Sequence, residues 1–178
     1  TRHYYKTIYR NANRLMGLIK ELMDFRKAAS GVLKLHVMPG NLNLFFQEIA
    51  EEFSGLAVEK RIHFNLKVPE ESSEIWFDRQ VFEKIVINLV SNSFKYTSDG
   101  GSITVETLES LDRFRPSFEN ELILNHDYQG KKYFHLRVSD NGIGISKESI
   151  QHLFERYYKI SESHLGSGIG LAFVKSLT

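Results

Sequence analysis

The sequence has 178 residues, of which 42% are hydrophobic and 25% charged, enough for one sizeable core in an ordinary globular protein. Its 23 basic and 22 acidic side chains leave a formal net charge of +1, which argues against a nucleic-acid-binding surface. There is no cysteine, which excludes disulfides and thiolate metal sites, and no apolar run near the ~18 residues of a membrane-spanning helix. We therefore expect a soluble chain that itself contacts neither nucleic acid nor membrane and binds any anionic ligand locally.

A long helix is predicted from Arg2 to Ala29. No proline interrupts it, and Ser30-Gly31 predicts its end. An apolar stripe with spacings of three and four residues is typical of a coiled coil or a helix bundle. The stripe consists of Ile8, Ala12, Leu15, Ile19 and Leu22. Because a lone amphipathic helix is marginal in water, the stripe needs a partner surface, either the following domain or, as we favour, another helix.

Short strands and helices are predicted to follow. The segment Leu33 to Met38 is typical of a strand ended by Pro39-Gly40, and Asn43 is expected to cap a helix that runs to about Lys60. Alternating apolar residues predict a half-buried strand at residues 62–68.

The next segments predict three strands and another helix. Residues 75–77 form a brief strand before Asp78, which can cap the helix that follows. Alternation at residues 103–107 and 134–138 predicts two more strands. Between them runs a long polar connection, residues 108–131, expected to be an extended hairpin or an excursion.

The last elements complete a mixed pattern. Ser146 can cap a helix that runs through Phe154, and a final helix is expected at residues 172–177. Helices interspersed with strands, without regular strand-helix-strand alternation, are typical of helices layered on one face of a mixed sheet. The sequence therefore predicts an α+β fold, a two-layer α/β sandwich preceded by a long coiled-coil-like helix.

Three motifs carry candidate chemistry, and the first lies on the helix after Asp78. Asn88 and Asn92 are four residues apart and share one face, which Lys95 extends by one turn. Two amide oxygens beside a lysine suit hydrated Mg²⁺ and its phosphates, because magnesium needs few protein oxygens. A solvated helix face is the alternative.

The second motif, Asp140 to Ile145, directly follows a predicted strand. An aspartate at a strand end can accept a hydrogen bond from the exocyclic amine of a base, and glycines let the backbone approach a ligand closely. An ordinary Asp-Asn-Gly turn is the alternative.

The third motif is the glycine-rich stretch Gly166 to Gly170, which opens the last helix. Its backbone N–H groups and the helix N-terminus can attract phosphate. Alternating glycines are also found in dinucleotide-binding fingerprints, but no strand-helix-strand unit follows here.

The order of these motifs, with residues 154–158 (Phe-Glu-Arg-Tyr-Tyr) between the second and the third, resembles the catalytic domain of sensor histidine kinases. That family belongs to the gyrase, chaperone, kinase and mismatch-repair ATPase superfamily, which has the Bergerat ATP-binding fold. Residues 88–97 resemble its asparagine box, in which Ser93 stands where alanine is usual, a change that we expect to be tolerated.

The resemblance implies that ATP and Mg²⁺ are the cofactors. Asn92 would be the Mg²⁺ ligand, Asn88 and Lys95 would lie near the phosphates, Tyr96 beside the adenine or ribose, and Asp140 on the adenine amine. Further groups are implied at the base (Gly142, Gly144, Ile145 and Leu171), at the phosphates (Gly166, Gly168 and Gly170) and at the γ-phosphate (Arg156). Asn88, Lys95 and Arg156 form the implied catalytic set.

The resemblance also divides the chain. Residues 1–31 would be the second helix of a dimerisation and phosphoacceptor stalk. Residues 32–178 would be the ATP-binding domain, which in the family continues beyond this point, and residues 159–165 would be its nucleotide lid. None of the seven histidines has the setting of a phosphoacceptor; His126-Asp127 comes nearest but lies in a polar loop.

The implied function is transfer of the γ-phosphate of Mg-ATP to a histidine outside this chain, with relay to an aspartate of a response-regulator receiver domain. The parent would dimerise through its stalk helices, and this portion would be cytoplasmic in a membrane-anchored kinase. The alternatives are a gyrase- or chaperone-like ATPase, which has a glutamate where this chain has Asn88, a serine-kinase anti-sigma factor, and a module that binds nucleotide without catalysis.

Overall fold

The computed structural model describes residues 2–68, 74–110, 122, 133–160 and 167–177. Its elements in chain order are α1 (Arg2–Ala29), β1 (Met38–Asn41), α2 (Leu42–Glu59), β2 (His63–Lys67), β3 (Glu74–Phe77), α3 (Arg79–Tyr96), β4 (Ser102–Ser110), β5 (Tyr133–Asp140), α4 (Lys147–Ile150) and α5 (Gly170–Leu177). Among these described helices, none is long and apolar enough to cross a membrane.

The chain forms two compact units. The first unit comprises residues 1–35 and 152–178, and the second comprises residues 36–151. The first boundary lies close to the predicted one at residue 31, whereas residues 152–178 are grouped with α1. The division into a stalk helix and an ATP-binding domain stays a prediction.

In the first unit, α1 has the predicted extent and packs against α5. It ends as predicted at Ser30-Gly31, where Gly31 has a φ of 67°. The predicted apolar stripe is exposed from Ile8 to Leu22, but Phe25 is buried against a cluster formed by Ile169, Ala172 and Phe173. The last turns of α1 are therefore covered by its own chain, and the exposed part of the stripe is open to another helix.

In the second unit, β2, β4 and β5 form a mixed sheet. Strand β4 is central; it pairs in parallel with β2 and antiparallel with β5. In this register Ile103 lies opposite Asp140, the last residue of β5. The strands predicted at residues 62–68, 103–107 and 134–138 are confirmed, and they form the predicted mixed sheet.

Helices α2 and α3 provide the second layer. Their apolar faces and the inward residues of the sheet form one core, in which Phe45, Phe46, Phe94, Ile103 and Val105 are almost fully buried. Because β-strand side chains alternate between faces, the buried residues of β4 are every second one, at positions 103, 105 and 107. The predicted two-layer α+β sandwich is confirmed.

The predicted strand at residues 33–38 is wrong in position. Strand β1 begins at Met38 and includes Pro39 and Gly40, which pair antiparallel with Trp76 and Ile75 of β3. Proline is tolerated there because β1 is an edge strand of a two-stranded sheet. Glycine is needed next, since a Cβ at Gly40 would lie 2.8 Å from the Phe77 ring.

Two helix predictions also need correction. The cap of α2 is Asn41 rather than Asn43, because the Asn41 side chain accepts a hydrogen bond from the Leu44 N–H at 2.9 Å. Ser146 caps α4 as predicted, but the helix ends at Ile150 and does not reach Phe154. Beyond it, the Glu155 N–H donates to the His152 carbonyl in a tight turn instead of continuing an α-helix.

Two predicted segments fall largely outside the described residues. The excursion at 108–131 is described only in its β4 end and at Leu122, and the lid at 159–165 only at its first two residues. Strands β4 and β5 pair from Ser110 and Tyr133 onward, so the connection between them joins neighbouring antiparallel strands.

Asp78 caps α3, and its ionisation is linked to stability. Partial burial raises its pKa, but hydrogen bonds from the N–H groups of His36, Val81 and Gln80 and the charge of His36 outweigh burial and bring it below the ordinary 3.8. We expect Asp78→Ala to lower the free energy of unfolding by about 1–2 kcal/mol at pH 7.

Because the folded-state pKa of Asp78 is lowered, its charge stabilises the fold above the unfolded-state pKa. This contribution is lost as the pH falls through the folded-state pKa. The Asp78→Asn variant keeps a capping group but no charge. Urea titrations should therefore show an advantage of the wild type over Asp78→Asn at pH 6 that shrinks below about pH 4; an advantage independent of pH would contradict this linkage.

Candidate nucleotide-binding site

The polar face of α3 holds the first motif. Asn88, Asn92 and Lys95 are each half-buried, so this face is not fully solvated. The Asn88 amide Nδ2 donates to the Lys84 carbonyl at 2.8 Å, which orients the amide and leaves its Oδ1 as an acceptor. The Lys95 Nζ donates to the Tyr96 hydroxyl at 3.0 Å and lies 4.7 Å from the centre of that ring.

The C-terminus of α3 is pinned against the glycine turn that follows β5. The Ile143 N–H donates to the Tyr96 carbonyl at 3.2 Å. A Cβ at Gly142 would lie 2.5 Å from that carbonyl oxygen, so no larger residue fits without moving backbone. Gly142 therefore permits a close approach between the asparagine-box helix and the Asp140 turn.

Asp140 is held by two donors at the end of β5. Its Oδ1 accepts the Gly142 N–H at 3.0 Å, and its Oδ2 accepts the Ser93 hydroxyl at 2.8 Å. Asp140 is exposed, whereas Ser93 is buried. The resemblance to the kinase family predicts only that a serine at position 93 is tolerated. The feature of the sequence that could have indicated this bond is the hydroxyl next to Asn92, at a position where the related family has alanine.

Asn141 is a second residue whose role the sequence does not predict. Its Oδ1 accepts the Ser102 N–H at 2.7 Å, and its own N–H donates to the Ser102 carbonyl at 3.2 Å. These bonds fix the start of β4 beside the end of β5. A Cβ at Gly101 would lie 2.9 Å from the Asn141 Oδ1, so that glycine admits the side chain.

The rest of the Asp140 turn is open. Gly144 has a φ of 70° with free space where a Cβ would stand, so glycine is favoured there by conformation rather than by crowding. Ile145 remains 39% exposed, which leaves an apolar side chain available for contact with a ligand.

In the first unit, residues 154–158, which correspond to the phenylalanine box of the related family, are joined through their backbone to the third motif. The Tyr157 N–H donates to the Gly168 carbonyl at 2.8 Å. Gly168 has a φ of 71°, and a Cβ there would lie 2.8 Å from the Tyr157 Cα. Tyr157 itself has a φ of 67°, an unusual conformation for an aromatic residue. Gly170 and Leu171 open α5, and Gly166 lies outside the described residues.

Arg156 contacts α1 within the same unit. Its guanidinium lies 5.4 Å from the centre of the Phe25 ring, within the range of a cation–π interaction. Arg156 is otherwise exposed.

The predicted site residues thus form two groups. The second unit holds Asn88, Asn92, Lys95, Tyr96, Asp140, Gly142, Gly144 and Ile145. The first unit holds Arg156, Gly168, Gly170 and Leu171. In one group, hydrogen bonds join Tyr96 and Asp140 to the glycine turn that follows β5. In the other group, a hydrogen bond joins Gly168 to the phenylalanine box.

The oxygen donors fit magnesium bound together with phosphates. Across the described ranges, no cluster of three or more histidine, cysteine, aspartate or glutamate residues could hold a metal ion. The side-chain oxygens of Asn88 and Asn92 are neutral amides, and Mg²⁺ takes few protein oxygens when waters and substrate phosphates complete its shell. A metal held by protein carboxylates alone does not fit this face.

Residues 77–178, more than half of the chain, match the model of a family described as histidine kinase-, DNA gyrase B- and HSP90-like ATPases. The chain belongs to this family. All three motifs lie within the matched range, and membership supports ATP binding by this part of the chain.

The chain is also similar to proteins that are named histidine kinases. It is 30% identical over 178 residues to histidine kinase P4 of Formosa agariphila, an alignment that covers 96% of this chain and 12% of that relative. The chain thus spans a small part of the relative's length.

Solved structures show the same fold. ShkA in complex with AMPPNP has a TM-score of 0.76 at 20% identity, covering 99% of this chain and 33% of that one. Histidine kinase ThkA in complex with the response regulator TrrA has a TM-score of 0.59 at 20% identity, covering 88% and 40%.

Proposed function

We propose that this chain is the catalytic ATP-binding domain of a sensor histidine kinase. It binds Mg-ATP and delivers the γ-phosphate to a histidine outside residues 1–178, for relay to a response-regulator aspartate. The observation that carries this proposal is the carboxylate of Asp140, held at the end of β5 by Ser93 and Gly142. Ser93 lies on α3, the helix that also carries Asn88 and Asn92.

Asp140 recognises the base in this proposal. Its carboxylate accepts a hydrogen bond from the exocyclic amine of adenine, since each oxygen keeps acceptor capacity beyond its one internal donor. Gly144 leaves room for the purine, because nothing lies within 4 Å of where its Cβ would stand, and Ile145 gives the base an apolar contact.

Phosphoryl transfer depends on positioning and charge neutralisation rather than on covalent chemistry by the protein. When bound, Mg²⁺ neutralises charge on the phosphates, and the Asn92 amide oxygen, with Asn88 beside it, would hold the ion. Lys95 and Arg156 add positive charge near the phosphates. The N–H groups of the segment from Gly166 to Gly170 bind phosphate oxygens at the start of α5.

Asn88 argues for a kinase rather than a steady ATPase. A glutamate at this position could accept a proton from water, but an amide cannot, and the Asn88 nitrogen already donates to Lys84. The attacking group is then the imidazole of a histidine supplied by another segment of the parent protein.

The exposed stripe of α1 supports a proposal about how the parent protein assembles. The stripe of α1 that remains exposed, from Ile8 to Leu22, is suited to pairing with further helices in a homodimer of the parent. A receiver domain is the proposed partner in relay, by likeness to ThkA, whose complex contains a response regulator. We also propose that this portion is cytoplasmic in a membrane-anchored parent.

Replacing the proposed metal ligand is expected to remove the effect of Mg²⁺ on nucleotide affinity. With Asn92→Ala, the gain in AMPPNP affinity on adding Mg²⁺ should fall at least about 10-fold, because the proposed ligand of the ion is lost and even groups that only orient a ligand contribute that much. Isothermal titration calorimetry with and without Mg²⁺ measures the gain directly.

The matched control is Asn65→Ala, which removes an exposed asparagine from β2. It should leave the Mg²⁺ effect unchanged. A wild-type chain that binds no AMPPNP, or an Asn92→Ala chain with an undiminished Mg²⁺ effect, would contradict the proposed site. In the parent protein, acid-labile phosphorylation from ATP should depend on Asn92 in the same way.

A further inference from the structure

Ser93 makes a polar contact that its position in the asparagine box does not require. It follows Asn92 on α3, is only 6% exposed, and donates its hydroxyl proton to the Asp140 Oδ2 at 2.8 Å. The two residues are 47 positions apart in sequence, so the bond links the helix layer to the end of the sheet.

A carboxylate with one fixed oxygen can still turn. The terminal torsion of aspartate is broad and roughly twofold, so the Gly142 N–H on Oδ1 does not by itself fix the plane of the group. A second donor on Oδ2 removes that freedom. Hydrogen bonds to an ionised acceptor are about twice as strong as neutral ones, so the Ser93 hydroxyl is an effective restraint.

We propose that Ser93 is a positioning residue that orients the Asp140 carboxylate and thereby sets the preference for a purine that bears an exocyclic amine. This inference rests on the proposed function, in which Asp140 accepts a hydrogen bond from adenine. Ser93 acts through Asp140 and does not contact the nucleotide itself.

The orientation matters because discrimination by a hydrogen bond depends on geometry. A carboxylate held in one plane presents a fixed lone pair to the amine, whereas a freely turning one must be ordered when the nucleotide binds. A purine without the amine makes no such bond, so its affinity is insensitive to the orientation of Asp140. Loss of the hydroxyl therefore weakens binding of one nucleotide selectively.

The test compares two Mg²⁺-bound nucleotides by calorimetry with the 178-residue chain: AMPPNP, and purine riboside triphosphate, which lacks the amine. Ser93→Ala should weaken AMPPNP about tenfold, the equivalent of 1.4 kcal/mol, and purine riboside triphosphate less than about twofold. Ser93→Cys, close in volume but a weak donor, should behave like Ser93→Ala. Ser93→Thr restores a hydroxyl and should recover most of the discrimination.

Ser91→Ala is the matched control, because Ser91 is an exposed serine on the same helix. It should bind both nucleotides like the wild type. Circular dichroism verifies that each variant is folded. Any loss of folded protein affects both nucleotides equally, so it cancels in the ratio of the two affinities.

Asp140→Asn separates this proposal from the proposed function. If Asp140→Asn abolishes the preference for the amine and Ser93→Ala leaves it intact, Ser93 has no positioning role although the site stands. Equal weakening of both nucleotides by Ser93→Ala would likewise overturn the role, since it indicates packing alone. If Asp140→Asn preserves the preference for the amine, Asp140 does not recognise adenine, and the proposed role of Ser93 is then wrong as well.

Discussion

Replacement of Phe45 by alanine is expected to lower the free energy of unfolding by about 3–5 kcal/mol, the cost of a large cavity in a packed core. Phe45 on α2 is fully buried, and its ring lies 5.2–5.8 Å from the rings of Phe46, Phe77 and Phe82. The side chain therefore joins α2 to β3 and α3. Its removal eliminates both the buried area and the edge-to-face aromatic contacts.

Urea unfolding followed by circular dichroism measures this loss. Leu44→Ala is the matched control, because Leu44 is the neighbouring residue on α2 and is 52% exposed. It should change the unfolding free energy by less than about 0.5 kcal/mol. Similar losses for the two variants would mean that Phe45 is not the packing centre that its burial indicates.

Gly142→Ala is expected to damage both stability and nucleotide binding. Its new Cβ would lie 2.5 Å from the Tyr96 carbonyl oxygen and 2.9 Å from the Asp140 Oδ1. Backbone must shift to relieve the clash, at a cost of about 1–3 kcal/mol in unfolding free energy. The shift separates Asp140 from its Gly142 donor, so we expect AMPPNP affinity to fall at least about tenfold, 1.4 kcal/mol.

Gly55→Ala distinguishes this clash from the loss of a glycine in general. Gly55 lies within α2, and a Cβ there meets nothing within 4 Å. Alanine should stabilise that helix by about 0.5–1 kcal/mol and leave AMPPNP affinity unchanged. A Gly142→Ala chain with wild-type stability and affinity would contradict the close approach of Tyr96.

Local periodicity was enough to predict most elements. The stripe of α1, the alternation at residues 62–68 and 103–107, and the caps Asp78 and Ser146 all depend on neighbours within a few positions. Such patterns reflect one repeating backbone geometry, which is why these elements were found where the sequence predicted them.

The ends of helices and strands are harder to predict from the sequence, because they depend on partners elsewhere in the chain. The sequence suggested Asn43 as a cap, but pairing of β1 with β3 carries the strand through Asn41, and that residue caps α2 instead. The sequence also predicted that Pro39 ends a strand, but an edge strand with one partner accommodates proline. The helix at Ser146 is short because a tight turn at His152 follows it.

The candidate site divides in the same way. The sequence alone gives the order of the three motifs. Helical periodicity places Asn88, Asn92 and Lys95 on one face, and strand periodicity places Asp140 at the end of a strand. Only the tertiary structure decided that Ser93 holds Asp140 and that Gly142 admits the Tyr96 carbonyl. These contacts join residues more than 40 positions apart, and they exist because α3 packs on the sheet at one register that no local pattern specifies.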